Sequence, residues 1–282
     1  MAGHRKILIF AASLALAAPL AGCESMTGPT GGRRGPGYAE TSSADPNAVA
    51  ANIDSLNRVV DSHPNDPEAY NTRGVAYAKI GRFDQAIGDF SQAIRLDPHH
   101  ASAYTNRALA ERQTGANDAA LADFTHAIDS NPNHAPAFLG RANLLRAQGQ
   151  LDPALRDLDQ AIRLNPENAQ AFHARGLIEQ KQGQNERAVT DFDNAIDRDP
   201  FAAAPYQARG QSLLALGKYD KAIEDFNAAL NVDNKNAAAW ASLGLAYEKK
   251  GDRQKALENY QRALSLNGDD AIARAGVSRL RG

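Results

Sequence analysis

From Pro67 onward the chain repeats itself every 34 residues. Units begin at Pro67, Ala101, Ala135, Ala169, Ala203 and Ala237, and the sixth ends at Asp270. A fixed period of this length marks a solenoid, because one such unit cannot bury its apolar face alone and must bury it against its neighbours. Counting each unit from one, position eight holds only Gly or Ala: Gly74, Ala108, Ala142, Gly176, Gly210 and Gly244. Positions twenty and twenty-seven are alanine throughout, Ala86 and Ala93 being the first pair. Small residues locked in phase require two helices to approach closely there, since a larger side chain would push the axes apart. Large residues interleave with them. Position four is aromatic in every unit, from Tyr70 to Trp240, and position twenty-four runs Phe90, Phe124, Leu158, Phe192, Phe226, Tyr260.

Punctuation divides each unit into helix, tight turn, helix, short turn. Position fifteen is always glycine, from Gly81 to Gly251, which suits the left-handed residue that ends a helix. Asp84, Asp118, Asp152, Glu186 and Asp220 follow, as an N-cap or as negative charge for a helix start. Pro153 is expected at a first helical position. Pro98, Pro132, Pro166 and Pro200 are expected to stop the second helix, with weaker stops where Asn234 and Gly268 replace them.

In the last unit Trp240-Ala-Ser-Leu243-Gly244-Leu-Ala-Tyr247 matches the W-x₂-L-G-x₂-Y run of the tetratricopeptide repeat, with Ala256 and Ala263 in phase behind it. About three-quarters of the chain resembles that family. The resemblance implies an all-α solenoid, a right-handed superhelix of helix-turn-helix repeats over residues 67–270. Both ends read as caps. Val49, Ile53, Leu56 and Val60 form one apolar face, making 47–66 a capping half-repeat. Ala273, Val277 and Leu280 lie among Arg274, Arg279 and Arg281, making 271–282 a capping helix with a polar outer side.

A charge ladder runs through the units. Position seven is Arg73, Arg107, Arg141, Arg175 and Arg209; position twenty-three is Asp89, Asp123, Asp157, Asp191 and Asp225. In the sixth unit both change together, to Leu243 and Asn259. Joint loss favours half-buried pairs within each repeat over a basic stripe for a ligand, because every guanidinium has a phased partner.

The first residues read as an address. His4, Arg5 and Lys6 precede an apolar run from Ile7 to Leu20, too short to span a bilayer comfortably and flanked like a secretory signal. It ends in Leu20-Ala21-Gly22-Cys23, which resembles the lipobox of bacterial lipoproteins at all four positions. That resemblance implies a signal peptide over 1–22, a lipidated Cys23, and acylation, palmitate included, of the new amino terminus. Glu24 follows instead of Asp, which by the sorting rule of enteric bacteria implies a periplasm-facing outer-membrane lipoprotein. Residues 23–46 carry five glycines and two prolines between Gly28 and Gly37 and no hydrophobic period, as a flexible tether would.

Composition excludes other classes. A formal charge of −2 over 282 residues argues against a nucleic-acid binder. Cys23 is the one cysteine, so no internal disulfide, CxxC pair or cysteine zinc site exists. The seven histidines show no metal-ligand spacing, and His99-His100 reads as a solvated turn. No P-loop, G-x-S-x-G or H-E-x-x-H is present, so neither an enzyme nor a cofactor is expected.

What remains is a groove. In tetratricopeptide proteins the first helices line a concave face that holds extended peptides or a partner's helix. The family's groove positions fall here on Asn71, Lys79, Leu109, Arg112, Leu139, Asn143, Arg146, His173, Leu177, Lys181, Gln211 and Lys249. A blend of amide, aliphatic and basic groups suits an extended, partly acidic polypeptide. Thr105 and Glu248 fall on the same face. The carboxylate clamp known in some members does not fit, since Asn71, Pro136 and Gly140 stand at the positions of its Lys and Arg residues. Tyr70-Asn-Thr-Arg73-Gly74-Val-Ala-Tyr77 and Asp89-Phe90-Ser91-Gln92-Ala93 are similar to the first repeat of NlpI-like lipoproteins. That resemblance implies an envelope adaptor that recruits proteases or peptidoglycan hydrolases and touches the membrane through its lipid alone. Two other readings stand beside it: a pilotin-like assembly factor for a secretin or type IV pilus, and a structural oligomer.

Overall fold

The computed structural model describes residues 46–282. The expected signal peptide, Cys23 and nearly all of the tether lie outside the described residues. The described part is helical, with no strand among its residues: a leading helix, six helix pairs and a closing helix. The leading helix is α1 (Pro46–Ser62). The first helices of the pairs are α2 (Pro67–Lys79), α4 (Ala101–Thr114), α6 (Ala135–Ala147), α8 (Ala169–Lys181), α10 (Ala203–Ala215) and α12 (Ala237–Lys250). The second helices are α3 (Phe83–Leu96), α5 (Asn117–Ser130), α7 (Leu151–Leu164), α9 (Asn185–Arg198), α11 (Tyr219–Val232) and α13 (Arg253–Leu266). The closing helix is α14 (Ala271–Arg281).

The turn inside each pair is built on the glycine at position fifteen, whose φ runs from 71° at Gly217 to 91° at Gly251. That left-handed residue lets the next amide reach back five residues, as Arg82 N does to Tyr77 O (2.9 Å) and Asp252 N to Tyr247 O (2.9 Å). The second helices start two residues earlier than expected. Asp84, Asp118, Asp152, Glu186 and Asp220 are therefore first-turn residues, not caps, and act by charge alone. Pro153 stands third in α7, which begins at Leu151. Its missing N–H costs nothing there, because the first turn has no intrahelical partner for it.

The second helices end at the same register with or without proline, at Val232 before Asn234 and at Leu266 before Gly268. The stop is set instead by an Asp or Asn at position thirty-one. Its side-chain oxygen accepts from the amide two residues on: Asp97 from His99 (2.9 Å), Asn165 from Glu167 (3.1 Å), Asp233 from Lys235 (3.0 Å), Asn267 from Asp269 (3.1 Å). Position thirty-four then caps the next first helix through Asp66, His100, Asn168, Asn236 and Asp270. His100 is thus a cap that also meets Glu68 (3.1 Å), while His99 is exposed.

The core of each repeat is centred on its position-twenty-four side chain. Phe90, Phe124, Leu158, Phe192, Phe226 and Tyr260 are each at most 1% exposed, and each fully buried Phe contributes about 2–3 kcal/mol. A methyl group on Gly74, Gly176, Gly210 or Gly244 would lie 2.6–2.8 Å from the ring of its own repeat. Ile53 and Val60 of α1 close the amino-terminal end of this core. Ala273 and Gly276 of α14 close the other end, and Glu248 ties the helix down by accepting both from Arg279 (2.9 Å twice) and from the Tyr260 hydroxyl (2.6 Å).

Candidate functional site

Across each boundary between repeats, hereafter a seam, first helix touches first helix, while no second helix touches another second helix among the described residues. The first helices therefore form the inner, shorter side of the stack, and the second helices stand apart on the outer side.

The ladder holds that stack together. Each Arg donates through Nε and Nη2 to both oxygens of the Asp in its own repeat. The Nε–Oδ2 distances are 2.6–2.8 Å for Arg73–Asp89, Arg107–Asp123, Arg141–Asp157, Arg175–Asp191 and Arg209–Asp225. A third arm, Nη1, reaches the preceding repeat's second helix: Asn57, Ser91, Thr125, Asp159 and Asp193 accept in turn. Each guanidinium also lies 5.7–6.0 Å from the aromatic ring at position four of its own helix, from Tyr70 to Tyr206. The hydrogen-bonded carboxylates push all five arginines above their ordinary pKa, so each stays charged. In the sixth repeat Leu243 is buried and Asn259 turns to its own helix, donating to Lys255 O (2.7 Å).

The twelve groove residues all lie on first helices, yet they differ in availability. Lys79, Lys181, Gln211 and Lys249 are exposed. Leu109, Arg112, Leu139, Asn143, Arg146, His173 and Leu177 are half-buried. Asn71 is buried: it donates to Glu68 (3.1 Å) and accepts from Asn106 (2.9 Å), joining two repeats and offering nothing to a partner's backbone. Thr105 is buried on its own helix, and Glu248 is committed to Arg279 and Tyr260. Both leave the groove. Arg146 has its Nε enclosed without a hydrogen-bond partner. Burial, then Arg146, push His173 down to about 4, so it is neutral near pH 7. The freely placed positive charge of the inner face is therefore the lysine set. Gln180 is a groove-side residue the sequence did not single out as structural. It donates to Ala208 O and Ser212 Oγ of the next repeat, both at 2.9 Å.

No group of His, Cys, Asp or Glu among the described residues is arranged to hold a metal ion. No helix among them is long and apolar enough to cross a membrane.

Family models described as tetratricopeptide or TPR repeat match residues 71–135, 142–183, 169–201, 210–251 and 237–270. No curated protein sequence matches the chain. Among solved structures, a chain of the APC/C hetero-tetramer Cut9–Hcn1 is similar at 20% identity and a TM-score of 0.70, over 83% of this chain and 48% of that one. The present chain thus spans about half the length of that relative. Pseudomonas aeruginosa pilF is similar at 17% identity and a TM-score of 0.70, over 81% of this chain and 99% of its own. YrrB, a TPR protein with an unusual peptide-binding site, is similar at 25% identity and a TM-score of 0.59, over 67% of this chain and 97% of its own.

Proposed function

Because the chain is built from tetratricopeptide repeats, we propose that it is an adaptor of the bacterial cell envelope, anchored by lipid on Cys23, that holds an extended, partly acidic segment of a protein partner along its inner face. The observation that carries this reading is the placement of Lys79, Lys181 and Lys249. All three stand at one position of the repeat on first helices, exposed, while Leu109, Leu139 and Leu177 supply apolar contact between them. A basic inner face raises the encounter rate with an acidic segment and makes binding salt-sensitive. The peptide-binding site named for YrrB supports the same use of this fold. The Leu20-Ala-Gly-Cys23 run supports the anchor, and Glu24 supports the outer membrane.

Photocrosslinkers at Lys181, on the inner face, and at Arg163, on α7, test the reading in intact envelopes. Products from Lys181 and none from Arg163 are expected. The combined Lys79→Glu, Lys181→Glu and Lys249→Glu variant should then capture that product tenfold less well or worse, about 1.4 kcal/mol, with the deficit shrinking at high salt. Crosslinks confined to Arg163 would overturn the inner-face site.

A further inference from the structure

The outer side carries a second recess. At the seam between the third and fourth repeats α7 and α9 stand apart, with α8 as the floor between them. The cleft has a volume of about 730 Å³ and is lined by Asp152, Leu155 and Asp159 from α7, Arg175 and Glu179 from α8, Gln182 just after it, and Arg187 and Asp191 from α9, among others.

Its charges do not balance. Arg175 is fully engaged, donating to Asp191 and to Asp159 (2.8 Å each), and Arg187 donates to Gln184 (3.0 Å). Asp152 makes no ion pair among the described residues, and Glu179 feels Arg175 and Arg187 but forms no close ion pair with either. One oxygen of Glu179 is buried with no hydrogen-bond partner, although Glu179 borders an open cleft. That oxygen is closed to a donor from the cleft; the other oxygen is not enclosed and makes no hydrogen bond, so it is the one an arriving donor meets.

The chain itself shows what such a donor looks like. At the seam between the fifth and sixth repeats, the position equivalent to Gln182 is Lys250. Its ammonium lies 2.5 Å from Asp220, the equivalent of Asp152. The equivalent of Glu179 is Tyr247, with the Lys255 ammonium 5.2 Å from its ring centroid. One seam therefore sets its own Lys250 beside the acid, whereas the other has Gln182 at that position; Arg187 stands at the position of Lys255. The seam between them has Leu213 and Leu216 at the equivalent positions and no unpaired acid on its floor. Glu111 repeats Glu179 at the seam of α3, α4 and α5, but Ser91 replaces Asp159 there and Ala119 replaces Arg187.

We propose that the outer cleft is a docking site for a lysine side chain of a partner protein, its ammonium taken up by Asp152 and Glu179 and its methylene stem lying on Leu155. This site is separate from the inner face and does not depend on it. Burial, with Asp191, pushes the Glu179 carboxyl up to about 7 against the pull of Arg175 and Arg187. A bound ammonium would hold it ionised.

The probe is Nα-acetyl-lysine methylamide, with the norleucine and arginine analogues beside it, titrated into the protein and followed by amide NMR shifts. Saturable shifts confined to α7, α8 and α9 are expected for lysine and absent for norleucine. Gln182→Lys, which copies Lys250, should weaken the probe at least tenfold by filling the cleft from within, and Asp152→Asn should do the same by removing an acceptor. Both positions are exposed, so both variants keep the fold. The variant with three inner-face lysines reversed should bind as the wild type does, which separates failure of this site from failure of the groove. Equal shifts with norleucine, equal or stronger binding of the arginine analogue, no saturable shift, or wild-type affinity in Gln182→Lys and Asp152→Asn would each overturn the proposal.

Discussion

Gly276 of α14 stands so close to Tyr260 of α13 that a methyl group on the glycine would collide with the ring. Tyr260 is wholly buried, and its hydroxyl is committed to Glu248, so the ring has nowhere to turn. Gly276→Ala should therefore lift the closing helix, at a cost of about 1–3 kcal/mol. Hydrogen exchange should show lost protection in α14 and the end of α13, with repeats one to four unchanged. Uniform loss of protection along the chain would contradict this local account.

The ladder predicts coupling. In Asp157→Ala the Arg141 guanidinium loses two bonds in a site where it is only 22% exposed. The loss should be about 2–3 kcal/mol, and adding Arg141→Leu should recover part of it. Additive denaturation free energies in the double mutant would show that the two residues do not stabilise each other. Asp159→Ala removes only the outer arm of Arg175, to a partner that is 54% exposed. It should cost about 0.5 kcal/mol or less.

Helix termination supplies a comparison of neighbours. Asn165→Ala removes the bond to the Glu167 amide and should cost about 1 kcal/mol, whereas Pro166→Ala should cost less. A larger loss for the proline would return the stop signal to it.

Much of this was legible beforehand, and the exceptions share a cause. The period, the small positions and the glycine turns each repeat one residue type, so identity alone exposes them. So does the pairing of Arg141 with Asp157. The third arm of the ladder was hidden because Asn57, Ser91, Thr125, Asp159 and Asp193 share only the ability to accept a hydrogen bond. The Asp or Asn stop was hidden behind the proline that follows it in four repeats. The groove was the least legible element. Asn71 packs on Asn106 of the next repeat, and a face named from one helix does not show that.

Two half-buried carboxyls predict a pH dependence of an unusual sign. Burial first, then Asp123, raise Glu111 to about 7; burial first, then Asp191, raise Glu179 to about 7. Both lie above the ordinary 4.5, so the folded chain holds these protons more tightly than the unfolded one. Their contribution is fully present below pH 4.5 and is lost as the pH rises through 7. Glu111→Gln and Glu179→Gln should leave the Tm unchanged at pH 4.5 and raise it at pH 8, by about 2–4 °C for each kcal/mol recovered. A rise of equal size at both pH values would show that the carboxyl titration is not its source.

Attachment can be tested on one atom. Cys23 carries the one thiol of the chain. Cys23→Ser should abolish diacylglyceryl labelling and detergent-phase partitioning and leave an uncleaved precursor. Unchanged labelling of the variant would end the lipoprotein reading.

The way the helices meet across the seams also has a mechanical side. With first helices in contact and second helices apart, every seam is a hinge whose pin runs along one edge. The outward arm of each ladder arginine is a check strap on the open edge. From Arg73 to Arg209 the strap is present, ending on neutral acceptors in the first three seams and on carboxylates in the next two. Leu243 supplies none; it packs instead with Phe226 and Leu230, and the exposed Lys250–Asp220 pair lies at the same seam. Bracing of the open edge is therefore uneven, charge-assisted in the seams of Arg175 and Arg209 and absent at the last, so a bend that spreads the outer side meets least polar restraint between the fifth and sixth repeats.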